Sequence, residues 1–414
     1  MSGSIWIKKS VFFLCIYIGT FSCSYKKDSG QYPVIDVINN IGKYQRVYCS
    51  DLFSSIELIP IETKEDCLIG ESHGLVINDS VILMKGHMGS HLYAFNRAGK
   101  YMNVIAKKGQ GPGEYFSLGN VFFNTDRKTL YVPDLEKCLE YDLEGNHIRS
   151  FQISESNINS FDIISGITYI ADSLFVGSTR YNGTNVYKYC ILDKNGDIIK
   201  KFPNYIFFDR HNAGSFLSIK DLALNPIKVD NRIYLKDYIN DTIYTLEDLN
   251  IQPAYIFDFG KYSLINEYLD NSIQDKRYEN VINFTLLTGF PNYFFYRMSV
   301  PESFAQPKSE YPRQSIYGIY NIAEKKNILL DTDIHLQSGI INDMNGGLPF
   351  IPYCYSGNNE VIGLWHAEMM KEKLTDEYFA LQTIKDRQGH QKLKEILKNM
   401  SEDDNPVIVI AKLK

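Results

Sequence analysis

The chain has 414 residues, of which 44% are hydrophobic, with 30 Tyr, 24 Phe and a net charge of −6. That length would fill two or three average domains or one large β-fold. A mildly acidic balance without a long basic run argues against nucleic acid as a partner, and helix-forming stretches occur in only two places, which favours sheets.

Lys8-Lys9 precede the apolar run Val11 to Ile18, which ends on Thr20-Phe21-Ser22-Cys23. A basic start, a short apolar core and a small-residue exit describe a secretory signal over residues 1–22. The run is short of the ~20 residues needed to cross a bilayer. The exit resembles a bacterial lipoprotein signal, which implies that Cys23 is the lipid-attachment residue. Thr20 departs from the branched aliphatic usual at that position, and the alternative is an ordinary cleaved signal. Residues 23–32 read as a polar tether carrying Lys26-Lys27.

From residue 70 a strand-turn-strand pattern returns at blade-length spacing. Asp79 to Leu83 leads to His91 to Phe95 and the turn Arg97-Ala98-Gly99-Lys100. Lys128 to Val132 leads to Leu139 to Asp142 and Leu143-Glu144-Gly145-Asn146. Asp172 to Val176 leads to Tyr187 to Leu192 and Lys194-Asn195-Gly196-Asp197, and Asn231 to Leu235 leads to Thr242 to Leu246. Several short strands per repeat with polar turns are the sequence form of a β-propeller. A helix is expected over 263–276, where Leu264, Ile265, Tyr268 and Leu269 share one face. A fifth blade is expected over 281–330. A sixth begins near Ile340 and includes Leu348 to Pro352 and Glu360 to Trp365. Over 366–400, Met370, Leu374, Tyr378, Leu381 and Ile384, then Leu393, Ile396 and Leu397, recur at helical spacing with Gly389 between, predicting two amphipathic helices. Pro406 to Leu413 returns to strand. Pairing it into a blade begun by residues 33–62 would close the ring and remove exposed edges. The expected fold is therefore all-β: one six-bladed β-propeller over 33–414, closed by N- and C-terminal strands, with small helical insertions.

Three stretches carry a family resemblance: Lys107 to Tyr115 (with Gly109-Gln110-Gly111-Pro112-Gly113-Glu114), Asn342 to Phe350, and Asp404 to Ile410. Together they resemble the bacterial six-bladed β-propeller lipoproteins, a family largely without assigned function, over roughly residues 33–414. Tyr131-Val132-Pro133-Asp134 through Gly145 is also similar to an NHL-type repeat. The resemblance implies a six-bladed fold and an exported, lipid-anchored state, with no established reaction.

The glycine loop departs from the phosphate-binding pattern, which needs Gly-Lys followed by Ser or Thr at a helix start. It reads instead as a blade-to-blade connection in which Gly109, Gly111 and Gly113 allow positive φ and Pro112 stiffens the turn. Gln110 and Glu114 are candidate ligand-binding residues near the channel mouth. Asp134, read as ending the innermost strand of the second blade, is a third candidate, with capping as its other use. His87 and His91 flank a Gly89 hairpin without a third ligand placed by spacing, so no metal and no cofactor is expected. Cys49, Cys67, Cys138, Cys190 and Cys354 lack zinc spacing. One Cys49–Cys67 bridge is possible, and buried thiols are the alternative.

No catalytic residues are assigned, because nothing pairs a nucleophile with a base. The leading expectation is a non-enzymatic binding or scaffolding lipoprotein for a protein, peptide or glycan. The rival is a propeller hydrolase or lyase acting on an exported glycan or peptide at the channel mouth. A third reading has the 366–400 helices docking a membrane partner. Lys26-Lys27 after the lipid-attachment cysteine favours the periplasmic face of the outer membrane over the cell surface.

Overall fold

Short apolar runs separated by polar turns fold into small antiparallel sheets. In the computed structural model the described residues are 32–414, except 70–73, 125–127, 154–163, 172, 180–184, 208–225, 238–239, 265–279, 305–312 and 332–338. Cys23 with its signal, the tether up to residue 31 and most of the expected 263–276 helix lie outside the described residues. No helix among the described residues is long and apolar enough to cross a membrane.

The chain opens with β1 (Val34–Asp36), the single turn α1 (Cys49–Leu52) and β2 (Phe53–Pro60). Blade I comprises β3 (Leu75–Ile77), β4 (Val81–Lys85), β5 (His91–Asn96) and β6 (Tyr101–Lys107). Blade II comprises β7 (Phe122–Asn124), β8 (Thr129–Asp134), β9 (Lys137–Tyr141) and β10 (His147–Gln152). Blade III comprises β11 (Ile164–Tyr169), β12 (Phe175–Thr179), β13 (Tyr187–Leu192) and β14 (Ile198–Pro203). Blade IV comprises β15 (Ile227–Val229), β16 (Arg232–Lys236), β17 (Thr242–Glu247) and β18 (Asn250–Asp258), and blade V comprises β19 (Asn283–Phe290), β20 (Tyr293–Pro301), β21 (Arg313–Asn321) and β22 (Lys326–Leu329). Blade VI takes β23 (Cys354–Gly357), β24 (Glu360–Trp365) and β25 (Val407–Leu413), and its outer strand is β2 from the N-terminal side. The fold is a six-bladed β-propeller.

Strand composition follows position in the blade. The second and third strands are covered on both faces by neighbouring blades, so β8 and β13 are buried throughout. The outer strand β14 is open on one face and alternates. The core is a ring of wedges between blades. Ile82, Phe95, Ile362 and Ile408 join blades VI and I; Leu83, Leu130 and Leu139 join I and II; Phe257, Phe284 and Phe294 join IV and V.

The polar turns that mark the repeats also join the blades. Gly99, Gly145 and Gly196 lie at positive φ, and a Cβ there would stand 2.1, 2.6 and 1.7 Å from the carbonyl oxygens of Pro60, Val104 and Gln152 respectively. Each turn thus presses on the outer strand of the preceding blade, which only glycine permits. The outer strands answer with donors. Asn103 Nδ2 donates to Glu144 O at 2.9 Å, Arg149 Nη1 to Lys194 O at 2.7 Å and Lys200 Nζ to Leu249 O at 2.8 Å.

Ring closure runs from Val407 opposite Pro60 to Leu413 opposite Phe53, with β24 on the other side of β25. Across the seam, Arg97 Nη2 donates to both carboxylate oxygens of Glu360, at 3.0 and 2.9 Å. Only the second half of 33–62 joins this blade. β1 runs parallel to β18 as a fifth strand on blade IV, where Ile35 enters the IV–V wedge and the strand covers an otherwise open edge. Leu348 to Pro352 is a buried connection with one isolated bridge, Ile340 to Phe350, because Pro349 and Pro352 lack ladder donors.

The excursion between β24 and β25 holds three helices, not two: α2 (Ala367–Lys373), α3 (Asp376–Ala380) and α4 (Arg387–Asn399). Two caps divide it. The Thr375 side chain accepts from Tyr378 N and the Asp386 side chain from Gly389 N, so Gly389 lies in the first turn of α4 instead of between helices. Met370, Leu374, Phe379 and Leu393 enter the V–VI wedge. Leu381 is 85% exposed, and Ile384 lies outside the helices. Cys49 and Cys67 are not bridged: the Cys49 thiol points to Ile340 O and that of Cys67 to Glu62 O. Cys138 and Cys190 are buried in strands, as expected.

Ile408 is fully buried at the VI–I seam. Ile408→Ala should lower the unfolding free energy by about 2–5 kcal/mol in urea titrations, whereas exposed Lys412→Ala should stay within about 0.5 kcal/mol. Equal effects of the two would show that closure does not depend on this strand.

Candidate functional site

Antiparallel order fixes where the loops go. The first-to-second and third-to-fourth strand turns of each blade share one face. Second-to-third connections and blade-to-blade connections share the other. That second face carries the glycine loop after β6, the hairpins at 86–90 and 135–136, the connection 61–74 and the helical excursion 366–406.

The glycine loop is closed by Lys108 bridged to Tyr115 and by Gly109 N donating to Tyr115 O at 2.9 Å. Glu114 folds back inside it. Its Oε2 accepts from Gly111 N at 2.8 Å and its Oε1 pairs with Lys107 Nζ at 3.1 Å. The Gly111 amide, and then the Lys107 ammonium, hold the Glu114 carboxyl below the ordinary carboxylate range. Gly109, Gly111 and Gly113 are not at positive φ, contrary to expectation. A Cβ on Gly109 would lie 2.0 Å from Glu114 Oε2, so a side chain there would displace the folded-back carboxylate, and one on Gly113 would lie 3.0 Å from His147 Cβ. Pro112 sits exposed at the loop tip.

Asp134 ends the second strand of its blade, because β7 lies inside β8. It is 3% exposed and accepts from Phe116 N at 3.0 Å and Ser117 N at 2.7 Å. Lys137 Nζ lies 3.7 Å away and also donates to Glu114 O. Two tyrosines anchor the loop from below: Tyr115 Oη donates to Gly89 O at 2.9 Å and Tyr141 Oη to Gly113 O at 2.8 Å. Of the three sequence candidates, Glu114 and Asp134 therefore brace the loop, and Gln110 is exposed on it. Asp142 closes its own turn by accepting from Asn146 N at 2.7 Å.

The braced loop turns an apolar side chain outward. Phe116 is 61% exposed, with Met88 at 86% and Leu135 at 40% on the two flanking hairpins. Phe116 is tied to both hairpins, through its neighbour Tyr115 to Gly89 and through its own amide to Asp134. Met88 and Leu135 sit at φ 52° and 46°, a left-handed conformation costly for bulky residues. Sequence reasoning missed all three. The available signal was an apolar residue at a polar hairpin tip, in His87-Met88-Gly89 and Asp134-Leu135-Glu136.

A groove of about 710 Å³ lies beside this patch, between the helical excursion and blade I. Leu68, Ala367, Met369 and Pro406 supply apolar lining, and His87 and His366 stand on its two sides. Asn405 builds its base. Its amide donates to Glu62 O at 2.8 Å and Cys67 O at 2.9 Å while accepting from Ile69 N at 2.8 Å. The expected closing-strand motif Asp404 to Ile410 thus begins as groove wall. The Asn342 to Phe350 motif anchors the excursion: Asp343 accepts from Ser50 Oγ at 2.5 Å and Lys385 Nζ at 2.7 Å, and His390 Nδ1 donates to Asn345 O at 2.8 Å. His91 stacks on Tyr93 in the hairpin. Among the described residues, no three His, Cys, Asp or Glu side chains converge as a metal site.

Comparison with known proteins follows the same architecture. Residues 32–412 match the model of a family described as a domain of unknown function, DUF4934. The chain belongs to the DUF4934 family. A crystal structure of a putative exported protein from Bacteroides fragilis is similar at 18% identity and TM-score 0.67, covering 92% of this chain and 99% of that one. A member of the DUF4221 family from Bacteroides vulgatus aligns over 88% of this chain and 97% of that one, at 10% identity and TM-score 0.49. Among curated proteins none matches. The first likeness establishes the propeller of this DUF4934 protein and nothing about its ligand.

Two outcomes follow from the bracing. Asp134→Ala strands two backbone donors and should cost about 1–3 kcal/mol in urea titrations, against about 0.5 kcal/mol or less for Gln110→Ala. Because the folded Glu114 carboxyl titrates below its ordinary value, its bond to Gly111 is intact above the ordinary carboxylate range and is lost as pH falls through the folded value. The Gly111 amide resonance should therefore shift on acidification in wild type and stay put in Glu114→Gln. An identical titration in both would show that Glu114 does not hold the loop.

Proposed function

We propose that this DUF4934 protein is a non-catalytic recognition module of the cell envelope, holding a protein, peptide or glycan partner on its loop-bearing face. One observation carries the reading: the carboxylates of Glu114 and Asp134 are bonded to backbone amides of the loop, and this bracing leaves Phe116 outward between Met88 and Leu135. Exposed aromatic residues and methionine are enriched where proteins meet, and grouped exposed apolar side chains mark interaction sites. At the glycine loop the two candidate carboxylates, Glu114 and Asp134, are committed to bracing the loop, so this patch offers contact surface and not acid–base chemistry. Lys8-Lys9, the short apolar run and Cys23 support export with lipid attachment at Cys23, and Lys26-Lys27 favour the periplasmic face of the outer membrane. The resemblance to exported propeller lipoproteins with NHL-like repeats supports the same placement.

The test is cross-linked co-purification from native membranes. Wild type is compared with a Phe116→Ala, Leu135→Gly variant matched in thermal midpoint. A stoichiometric partner present with wild type and lost with the variant is the expected result. No partner with either form, or one retained by the variant, overturns the assignment of this face.

A further inference from the structure

We infer that the groove between α2 and blade I receives an extended, lysine- or arginine-bearing segment of a protein partner, with flanking apolar residues resting on Met88 and Phe116. This deepens the recognition reading and rests on it. The groove carries Glu368, Glu372, Glu402, Asp403 and Asp404 against one ammonium, that of Lys373. Lys373 is itself paired with Glu372 at 2.7 Å, so the unneutralised charge of the groove is strongly negative. An anionic partner would be repelled, and a cationic one drawn in at a rate that falls with salt.

The lining selects among cations. A compact metal ion would need three or more converging ligands, which no described cluster supplies. It would also leave the apolar lining of Leu68, Met369 and Pro406 uncovered. A lysine or arginine side chain fits both demands, because its methylene stem lies on apolar surface while its head stays at the polar rim. The volume of about 710 Å³ leaves room for such a side chain together with adjacent backbone.

Continuity makes the occupant extended. His87 stands on the groove, and Met88 follows it in the chain. The same hairpin contacts Tyr115, the neighbour of Phe116, through Gly89. Negative charge is thus concentrated at the groove, and the hairpin that borders it carries the apolar Met88. Base and hairpin are linked by Asn405 to the 62–69 connection and by His87 N donating to Leu68 O at 3.4 Å.

The experiment uses the detergent-solubilised full chain and two labelled hexapeptides read by fluorescence anisotropy, one alternating lysine and leucine, the other glutamate and leucine. The lysine peptide should bind, and the glutamate peptide should bind at least about tenfold more weakly. A Glu368→Gln, Glu372→Gln, Asp403→Asn variant should lose about tenfold in affinity and most of the salt dependence. These side chains are exposed, so the fold should be kept, and the thermal midpoint checks it. Phe116→Ala should weaken binding while leaving the salt dependence unchanged. Equal binding of the two peptides, or a neutralised variant that binds as wild type does, overturns the inference. A membrane partner kept by the neutralised variant but lost with the Phe116→Ala, Leu135→Gly variant would sink the groove and leave the recognition reading standing. Binding of the lysine peptide with no partner from membranes would do the reverse.

Discussion

The pairing of β25 with β2 is the constraint on which the rest depends. Seven residues at the C-terminus lie against a strand placed some 350 positions earlier in the chain, through a register that runs from Val407–Pro60 to Leu413–Phe53. Without it, blade VI would hold three strands, β6 would face no closed neighbour through Pro60 and Gly99, and the VI–I wedge of Ile59, Ile408 and Ile410 would open to water. Edge exposure of that kind is what closed β architectures avoid. The Arg97–Glu360 ion pair, partly shielded from solvent on both sides, reinforces the same seam.

A rigid ring lets the loops be shaped by hydrogen bonds instead of by burial. The glycine loop spans from the outer strand of blade I to the inner strand of blade II, and it is held by two carboxylates, two tyrosine hydroxyls and one lysine. Each of those polar groups points inward. The result is a surface whose outward character is apolar at Phe116, Met88 and Leu135, although the sequence of the loop reads as polar and glycine-rich. A similar division applies at the helical excursion, where Asp343 and Asn345 bind the backbone and Lys385 while the carboxylates of α2 stay in solvent.

Much of the fold was legible in the sequence because each blade repeats the same local physics: alternating or fully apolar strands and a tight turn whose glycine adopts positive φ, as at Gly99, Gly145 and Gly196. The closing strand was legible as a return to Val407-Ile408-Val409-Ile410 after helices. What escaped depends on distant partners. Three residues, Val34 to Asp36, could pair with any open edge, and tertiary context alone directs them to β18. Asp134 was placed one strand too far inward because β7, only three residues long, left a weak signal. The glycines of the loop do not use positive φ; the Glu114 carboxylate folds back against Gly109 and Gly111, and such a contact has no signature in spacing. The groove was invisible for the same reason: its walls come from residues near 68, 87, 367 and 404.

Closure and the groove are coupled through one short stretch. Asn405 and Pro406 line the groove, and the next residue, Val407, begins the closing strand. Asn405 also binds the 62–69 connection, which leaves the other partner of that closure, β2. Anything that occupies the groove therefore rests on both strands of the seam at the point where they meet. By mass action, a ligand that contacts only the closed arrangement stabilises it. Here the geometry makes an intact seam a condition of an intact groove, so the same residues that hold the disc together shape the surface it presents.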